Sequence, residues 1–250
     1  MKVGAAVKAV ILNSGLGQRM GEETKNKPKC MVEIAAQETI ISRQIKQLLK
    51  HNIDDLIITT GPFADKLQNY VGKAFPQLKV TYVHNPRYAS TNYIYSLFLA
   101  KKYLTSEFLL LHGDLVFDTA LLAKTLQSPH PNTVLVNREA VLPEKDFKAR
   151  LINNRVQEIS IHIFGDDCAF LIPLYKISPA LAAAWLTEIE AFVQRGEINV
   201  YAENALNNIL AKHNMQPVYF NQELCTEIDN PADLQKVRTA LTAEAEIYDH

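Results

Sequence analysis

A chain of 250 residues with 48% apolar and 21% charged residues is long enough to bury one large core or two small ones, and its balance excludes a disordered polypeptide. The formal net charge of −1 excludes a global field for nucleic acid or an anionic membrane, so any anionic ligand must be held by local cations and backbone amides. Three widely spaced cysteines, Cys30, Cys168 and Cys225, form no zinc pattern and no disulfide framework, and no apolar run approaches the ~20 residues of a membrane helix.

The opening MKVGAAVKAVIL is interrupted by Lys8 and reads as a strand and not a signal peptide, so a cytoplasmic protein is expected. AVKAVILN is a buried strand ending at Asn13. TIISRQIKQLLKHN places Ile40, Ile41, Ile45, Leu48 and Leu49 on one helical face. DLIITTG is a short strand closed by Gly61, ADKLQNYVGKAF a helix, KVTYVHN a strand, NYIYSLFLAKKYL a helix and EFLLLHGD a strand buried on both faces. Short apolar strands separated by helices indicate βαβ units and a mostly parallel sheet.

The second half differs. FKARLINNRVQEISI predicts a hairpin turning at Asn153-Asn154, a pair that tolerates positive φ. CAFLIPLY is a strand and PALAAAWLTEIEAFVQRG a helix in which Trp185 belongs to the core. A helix near AENALNNILAKH, a strand MQPVYF, a turn TEIDNPAD and a closing helix from Pro231, capped by Asn230, complete the chain. One α/β domain spanning residues 1–250, with an inserted hairpin, is the economical reading. Residues 138–205 form its candidate acceptor-binding insertion.

Three motifs carry chemistry. In ILNSGLGQRM, Gly15 and Gly17 follow a strand end, where open α/β sheets receive ligands and glycine lets the backbone approach phosphate. A dinucleotide fingerprint is excluded because Met20 replaces the third glycine and no acid ends a second strand about twenty residues on; a P-loop is excluded for want of Gly-Lys-Ser/Thr. Arg19 and then Lys25, Lys27 and Lys29 follow instead, cations suited to a triphosphate and its departing pyrophosphate, although the same residues also suit a glycine turn and a solvated basic loop. In LLLHGDLVFD, Asp114 ends a strand at the same sheet edge, where a carboxylate suits a hard cation such as Mg²⁺, while Asp118 reads as a helix cap. In CTEIDNPADL, Glu227 and Asp229 are two apart and share a face if extended, and Asp233 falls in a first helical turn. Together these motifs suit metal-assisted displacement at the α-phosphorus of a nucleoside triphosphate.

In order along nearly the whole chain, these segments resemble the nucleotidyltransferases. The opening run Leu12 to Met20 with Pro28-Lys29 is similar to the family's L-A-A-G-x-G-x-R followed by P-K, with Asn13-Ser14 in place of Ala-Ala. HNPRYASTNYIYSL resembles the N-P-x-Y…N-N-I-Y-S-L stretch of the phosphocholine and phosphonate cytidylyltransferase branch. HGD matches its metal aspartate segment, with His112-Gly113 in place of small or acidic residues, and EIDNPADL matches its closing E-I-D-x-x-x-D-L.

The resemblance implies an α/β Rossmann-like nucleotide-diphosphate-transferase fold, a mixed, mostly parallel sheet flanked by helices. It implies CTP across the glycine loop, contacted by Leu12, Asn13, Ser14, Gly15, Gly17, Gly61, Asn92 and Ser96. Arg19 and Lys29 would hold phosphates, and Asp114, Glu227 and Asp229 would bind Mg²⁺. The acceptor is a small phosphorylated or phosphonate zwitterion, such as phosphocholine or 2-aminoethylphosphonate. Its candidate contacts are Tyr88, Asp146, Lys148, Tyr201 and Glu203, and Tyr93, Phe170 and Tyr175 are further aromatics for a cationic head. A homodimer is common in this superfamily, and neither nucleic acid nor a membrane is expected as partner.

A sugar-1-phosphate nucleotidyltransferase using UTP or dTTP shares all the phosphate and metal features and differs in base preference. A non-catalytic nucleotide-binding regulator would lack the metal acids, and a glycosyltransferase would carry Asp-x-Asp where this chain has His112-Gly113-Asp114.

Overall fold

The computed structural model describes residues 7–248, so Met1–Ala6 of the expected N-terminal strand lie outside the described residues. Nine strands of the described residues form one sheet, seven of them in the order β5 (Lys79–His84), β4 (Asp55–Thr60), β1 (Lys8–Asn13), β6 (Phe108–His112), β11 (Cys168–Ile177), β8 (Thr133–Asn137) and β12 (Gln216–Tyr219). All adjacent pairs among these seven are parallel except those made by β11. Pro173, which has no N–H for a ladder, sits where the register of β11 shifts between Ile172 and Tyr175.

Alternation along β1 explains the layering. Ala9 and Ile11 enter one core with α1 (Ile40–Lys50), α2 (Ala64–Ala74) and α4 (Thr119–Gln127). Val10 and Leu12 enter the other with α3 (Tyr93–Ala100), α5 (Pro179–Gln194) and α6 (Ala202–Asn207), where Trp185 is buried. The first three strands run outward as β1, β4, β5, and the chain then returns to place β6 on the other side of β1. That reversal is the topological switch point, and it opens at the carboxyl ends of β1 and β6.

Three smaller pieces complete the architecture. The hairpin of β9 (Lys148–Ile152) and β10 (Arg155–Ser160) extends from the first half of β11, and Asn153 and Asn154 both adopt positive φ at its turn, as their sequence predicts. A two-stranded ribbon of β7 (Leu115–Phe117) and β13 (Cys225–Glu227) takes up the first two residues of the turn expected at TEIDNPAD, and the turn follows it. A short ribbon, β2 (Glu33–Ala35) and β3 (Glu38–Thr39), leads into α1. The helix expected at AENALNNILAKH ends at Asn207.

The closing helix α7 (Pro231–Tyr248) is capped as expected, the Asn230 side chain accepting from the N–H groups of Ala232 and Asp233. Its Leu234, Val237 and Leu241 form a separate apolar cluster with Met20 of the glycine loop and Val32 and Ile34 of the following segment. The closing helix is thereby fastened onto the glycine loop. No helix of the described residues is long and apolar enough to cross a membrane.

Candidate active site

The glycine loop leaves β1 at Asn13 and turns at Gly17, whose φ of 65° is left-handed and favours glycine. Thr24 locks the turn by donating its hydroxyl to the Gly17 carbonyl at 2.9 Å. Gly113 and Gly61 hold the loop by close packing. A Cβ on Gly113 would collide with Asn13, and one on Gly61 would collide with the Ser14 carbonyl. Gly15 differs: its φ is not positive and a Cβ there would meet nothing within 4 Å. The fold gives no reason for glycine at that point, whereas a ligand pressed against the backbone would.

The β6 end is stapled in three ways. The Gly113 N–H donates to Leu12 at 3.0 Å. Gln44, on the buried face of α1, donates to the carbonyls of His112 and Leu115 at 2.8 and 2.7 Å. The Ile228 N–H donates to the Asp114 carbonyl at 3.0 Å. The HGD and EID segments therefore meet across the β7–β13 ribbon, as their charges require if they act together.

Lys29 closes the constellation. Its ammonium donates to Asp114 Oδ2 at 2.6 Å and Asp229 Oδ1 at 2.8 Å, and Arg19 reaches the same Asp229 oxygen at 2.8 Å. Burial works against the charge on Lys29, but Asp114 and Asp229 outweigh it and raise its pKa. Burial likewise disfavours the Asp114 carboxylate, and Lys29 and His112 overcome this and lower its pKa. Burial and repulsion from Asp114 raise Glu227 to about 7, against the pull of His112. His112 Nδ1 lies 2.9 Å from Glu227 Oε1; this bond overcomes the burial of the ring and raises its pKa to about 9. Three polar atoms here are fully buried without a hydrogen-bond partner: Asn13 Nδ2, His112 Nε2 and Asp114 Oδ1. His112, Asp114 and Glu227 each bring a ligand atom within 4.8 Å of the others. With an orphaned carboxylate oxygen, and an ammonium already held between two of the acids, the donor set fits a divalent metal ion.

These groups line a cleft of about 730 Å³, within the range of ligand pockets. Leu12, Asn13, Gly15, Gly17, Arg19, Lys29, Asn92, Asp114, Asp146, Tyr201, Glu227 and Asp229 all line it. A smaller adjoining cavity of about 170 Å³ is lined by Ser14, Gly15, Asn85, Thr91, Asn92 and Ser96. Its polar wall is a network: the Ser14 hydroxyl lies 2.6 Å from that of Ser96 and 3.0 Å from that of Thr59, and Asn85 donates to Ser96 at 3.1 Å.

Four expected site residues lie elsewhere. Gly61 supports Ser14 from behind. Tyr88 packs edge-on against His84, outside both cavities. Lys148 is buried and donates to the carbonyls of Pro143 and Ile161 at 2.7 Å each, so its ammonium braces the two loops and does not face the cleft. Glu203 is fully buried behind the cleft wall, accepting from Tyr93 and, at 2.9 Å, from Tyr175. Burial and Glu203 push both phenols well above their ordinary pKa and keep them donors. Asp118 is also corrected: it holds the N-cap position of α4, but its side chain makes no capping bond there and accepts from the Leu224 N–H at 2.9 Å instead.

Sequence reasoning named Tyr93 and Tyr201 but missed Phe147, which completes an aromatic wall with them, and the role of His112. Tyr93 meets His112 at 4.8 Å and Tyr201 at 5.9 Å between ring centroids, and Phe147 meets Tyr201 at 5.0 Å. Glu144, Lys145, Ile161 and His162 enter from the loops on either side of the hairpin. Gln44 was legible only as a polar residue on the apolar face of a helix.

The sequence profile of the MobA-like NTP transferase domain matches residues 9–247. A CMP-5'-(3-aminopropyl)phosphonate synthase of Streptomyces rubellomurinus is 30% identical over 53% of this chain, a match that spans only 21% of that relative. A CTP:phosphoglutamine cytidylyltransferase of Campylobacter jejuni is 24% identical over 91% of this chain and 97% of its own length. The solved CTP:phosphocholine cytidylyltransferase of Streptococcus pneumoniae superposes with a TM-score of 0.74 at 23% identity, covering 94% of this chain and 99% of that one, which establishes the shared Rossmann-like fold. The chain belongs to the MobA-like NTP transferase family.

Proposed function

We propose that the protein transfers a cytidylyl group from CTP to a small phosphorylated or phosphonate zwitterion and releases pyrophosphate. The observation that carries this reading is the convergence of Lys29, Arg19, Asp114 and Asp229 between an open glycine, Gly15, and an aromatic wall. The glycine loop offers backbone amides to the triphosphate, and Arg19 and Lys29 neutralise it as the pyrophosphate leaves. The small polar cavity beside Ser14, Asn85, Asn92 and Ser96 suits ribose and a pyrimidine. Asp114 and Asp229, with Glu227 nearby, would hold Mg²⁺, which when bound neutralises charge on the phosphate oxygens. An acceptor phosphate or phosphonate oxygen attacks the α-phosphorus in line, so no protein nucleophile is required and the residues act by positioning.

Tyr93, Phe147 and Tyr201 face the cleft beside Asp146 and Glu144, a surface suited to an ammonium head. Burial and the neighbouring Asp229 and Asp233 raise the Asp146 pKa, as expected of an acid awaiting a cation. Relatives that use a phosphonate, phosphocholine and phosphoglutamine support the same class of acceptor. A cytoplasmic location and a homodimer belong to the same proposal, the latter tested by light scattering.

Pyrophosphate release is measured with CTP, UTP, ATP and GTP, and with dTTP, against phosphocholine, 2-aminoethylphosphonate, phosphoethanolamine, phosphorylated amino acids and sugar 1-phosphates. A preference for CTP with a zwitterion is expected. A preference for UTP or dTTP with a sugar 1-phosphate would overturn the assignment.

A further inference from the structure

His112 stands at the end of β6 with its ring clamped edge-on against Tyr93, its carbonyl held by Gln44 and its Nδ1 held 2.9 Å from Glu227 Oε1. Nε2 is fully buried and has no partner, and neither has Asp114 Oδ1 two residues on. The bond to Glu227 keeps a proton on Nδ1, and a metal at Nε2 displaces the second proton that the imidazolium carries there. Metal-ligating histidines almost always show this pattern, with the second ring nitrogen bonded to a carboxylate. Asp114 Oδ2 is occupied by Lys29, so Oδ1 can take a metal without breaking that ion pair.

We propose that His112 is a nitrogen ligand of the divalent metal through Nε2, with Asp114 Oδ1 as an oxygen ligand and Glu227 as the residue that orients the imidazole. The inference rests on the reading of these acids as a metal site and gives Glu227 a role beside the metal instead of on it. A nitrogen ligand shifts the preference of the site. Mg²⁺ favours oxygen donors, while imidazole suits first-row transition ions, so Mn²⁺ is preferred over Mg²⁺ at this position.

The test adds Mn²⁺ to the metal-stripped full-length protein without nucleotide and reads electron spin echo modulation. The expected wild-type signal contains ¹⁴N coupling from one imidazole, which converts to the ¹⁵N pattern in protein labelled with [¹⁵N]histidine. His112→Gln loses the coupling, and its preference for Mn²⁺ over Mg²⁺ in competition falls about tenfold or more. Glu227→Gln keeps the coupling, and its Mn²⁺ affinity falls roughly 10- to 100-fold, as for the loss of other partners of metal-bound histidines. Wild-type protein that binds Mn²⁺ without nitrogen coupling overturns the proposal, as does coupling that persists in His112→Gln or an absence of binding at millimolar Mn²⁺. The labelled wild type does not depend on any variant folding. Nor does the readout depend on turnover: nitrogen coupling in a protein that uses no nucleotide would leave the ligand standing and remove only the proposed function.

Discussion

The two walls of the cleft are built differently. The phosphate and metal wall is fixed at strand ends: backbone hydrogen bonds join Leu12 to Gly113 and Asp114 to Ile228, and the Lys29 ion pairs span from the glycine loop to both acids. The acceptor wall is made of side chains from the loops beside the hairpin and from the approach to α6. Those loops expose Val141 and Phe164 strongly, while the glycine loop of the first wall exposes Leu16 to a lesser degree. Chemistry common to many acceptors sits on the rigid wall, and discrimination between acceptors sits on the wall that loop changes can reshape.

The contrast breaks most sharply at Asp229. Asp229→Asn weakens the anchor of both Lys29 and Arg19, and we expect kcat to fall by at least about 10²–10³-fold, with the fold intact by circular dichroism. Full activity would remove Asp229 from the reacting centre.

Glycines separate support from contact within the first wall. Gly113→Ala drives a methyl into Asn13 and should cost about 1–3 kcal/mol in denaturant unfolding. Gly15→Ala enters open space and should change stability by less than about 0.5 kcal/mol while raising the KM for the nucleotide. If Gly15→Ala leaves that KM unchanged, the nucleotide does not press on this backbone.

On the second wall, Tyr201→Ala should raise the acceptor KM about 2- to 30-fold, the range of a partly desolvated cation–π contact, and leave the KM for CTP in place. A neutral acceptor isostere should show no such loss. Equal losses for charged and neutral acceptors would assign Tyr201 to packing alone.

The same division governs what was legible in the sequence. Gly15, Gly17 and Asp114 could be placed because strand ends in an α/β sheet share one edge, whereas Asp229, beyond the β7–β13 ribbon, was placed there only through the family resemblance of EIDNPADL. The ammonium of Lys148 could not, because two carbonyls at the base of the hairpin capture it, and no sequence pattern signals a carbonyl as partner. Glu203 was singled out as an acid, yet its burial between two tyrosines from α3 and β11 depends on packing across three elements. Phe147 went unnoticed for the same reason, since its neighbour Tyr201 lies far along the chain.

The ion pair at Asp114 measures how firmly the first wall is tied in the metal-free protein. Asp114 has a depressed folded pKa, so its contribution to stability is full above its unfolded value near 4 and is lost as pH falls through the lower folded value. Lys29 has a raised folded pKa, so its contribution is full below about 10.4 and is lost as pH rises through the higher folded value. The pair therefore stabilises the fold across the neutral range, and Asp114→Asn should cost about 1–2 kcal/mol at pH 7 in chelator. Urea unfolding of both proteins should show this gap narrowing as pH drops from about 5 to below 3. A gap that stays constant over that range would mean that the carboxylate of Asp114 is not held by Lys29. The rigid wall would then owe its order to the backbone hydrogen bonds at Gly113 and Ile228, the Gln44 bonds and the ion pairs of Asp229.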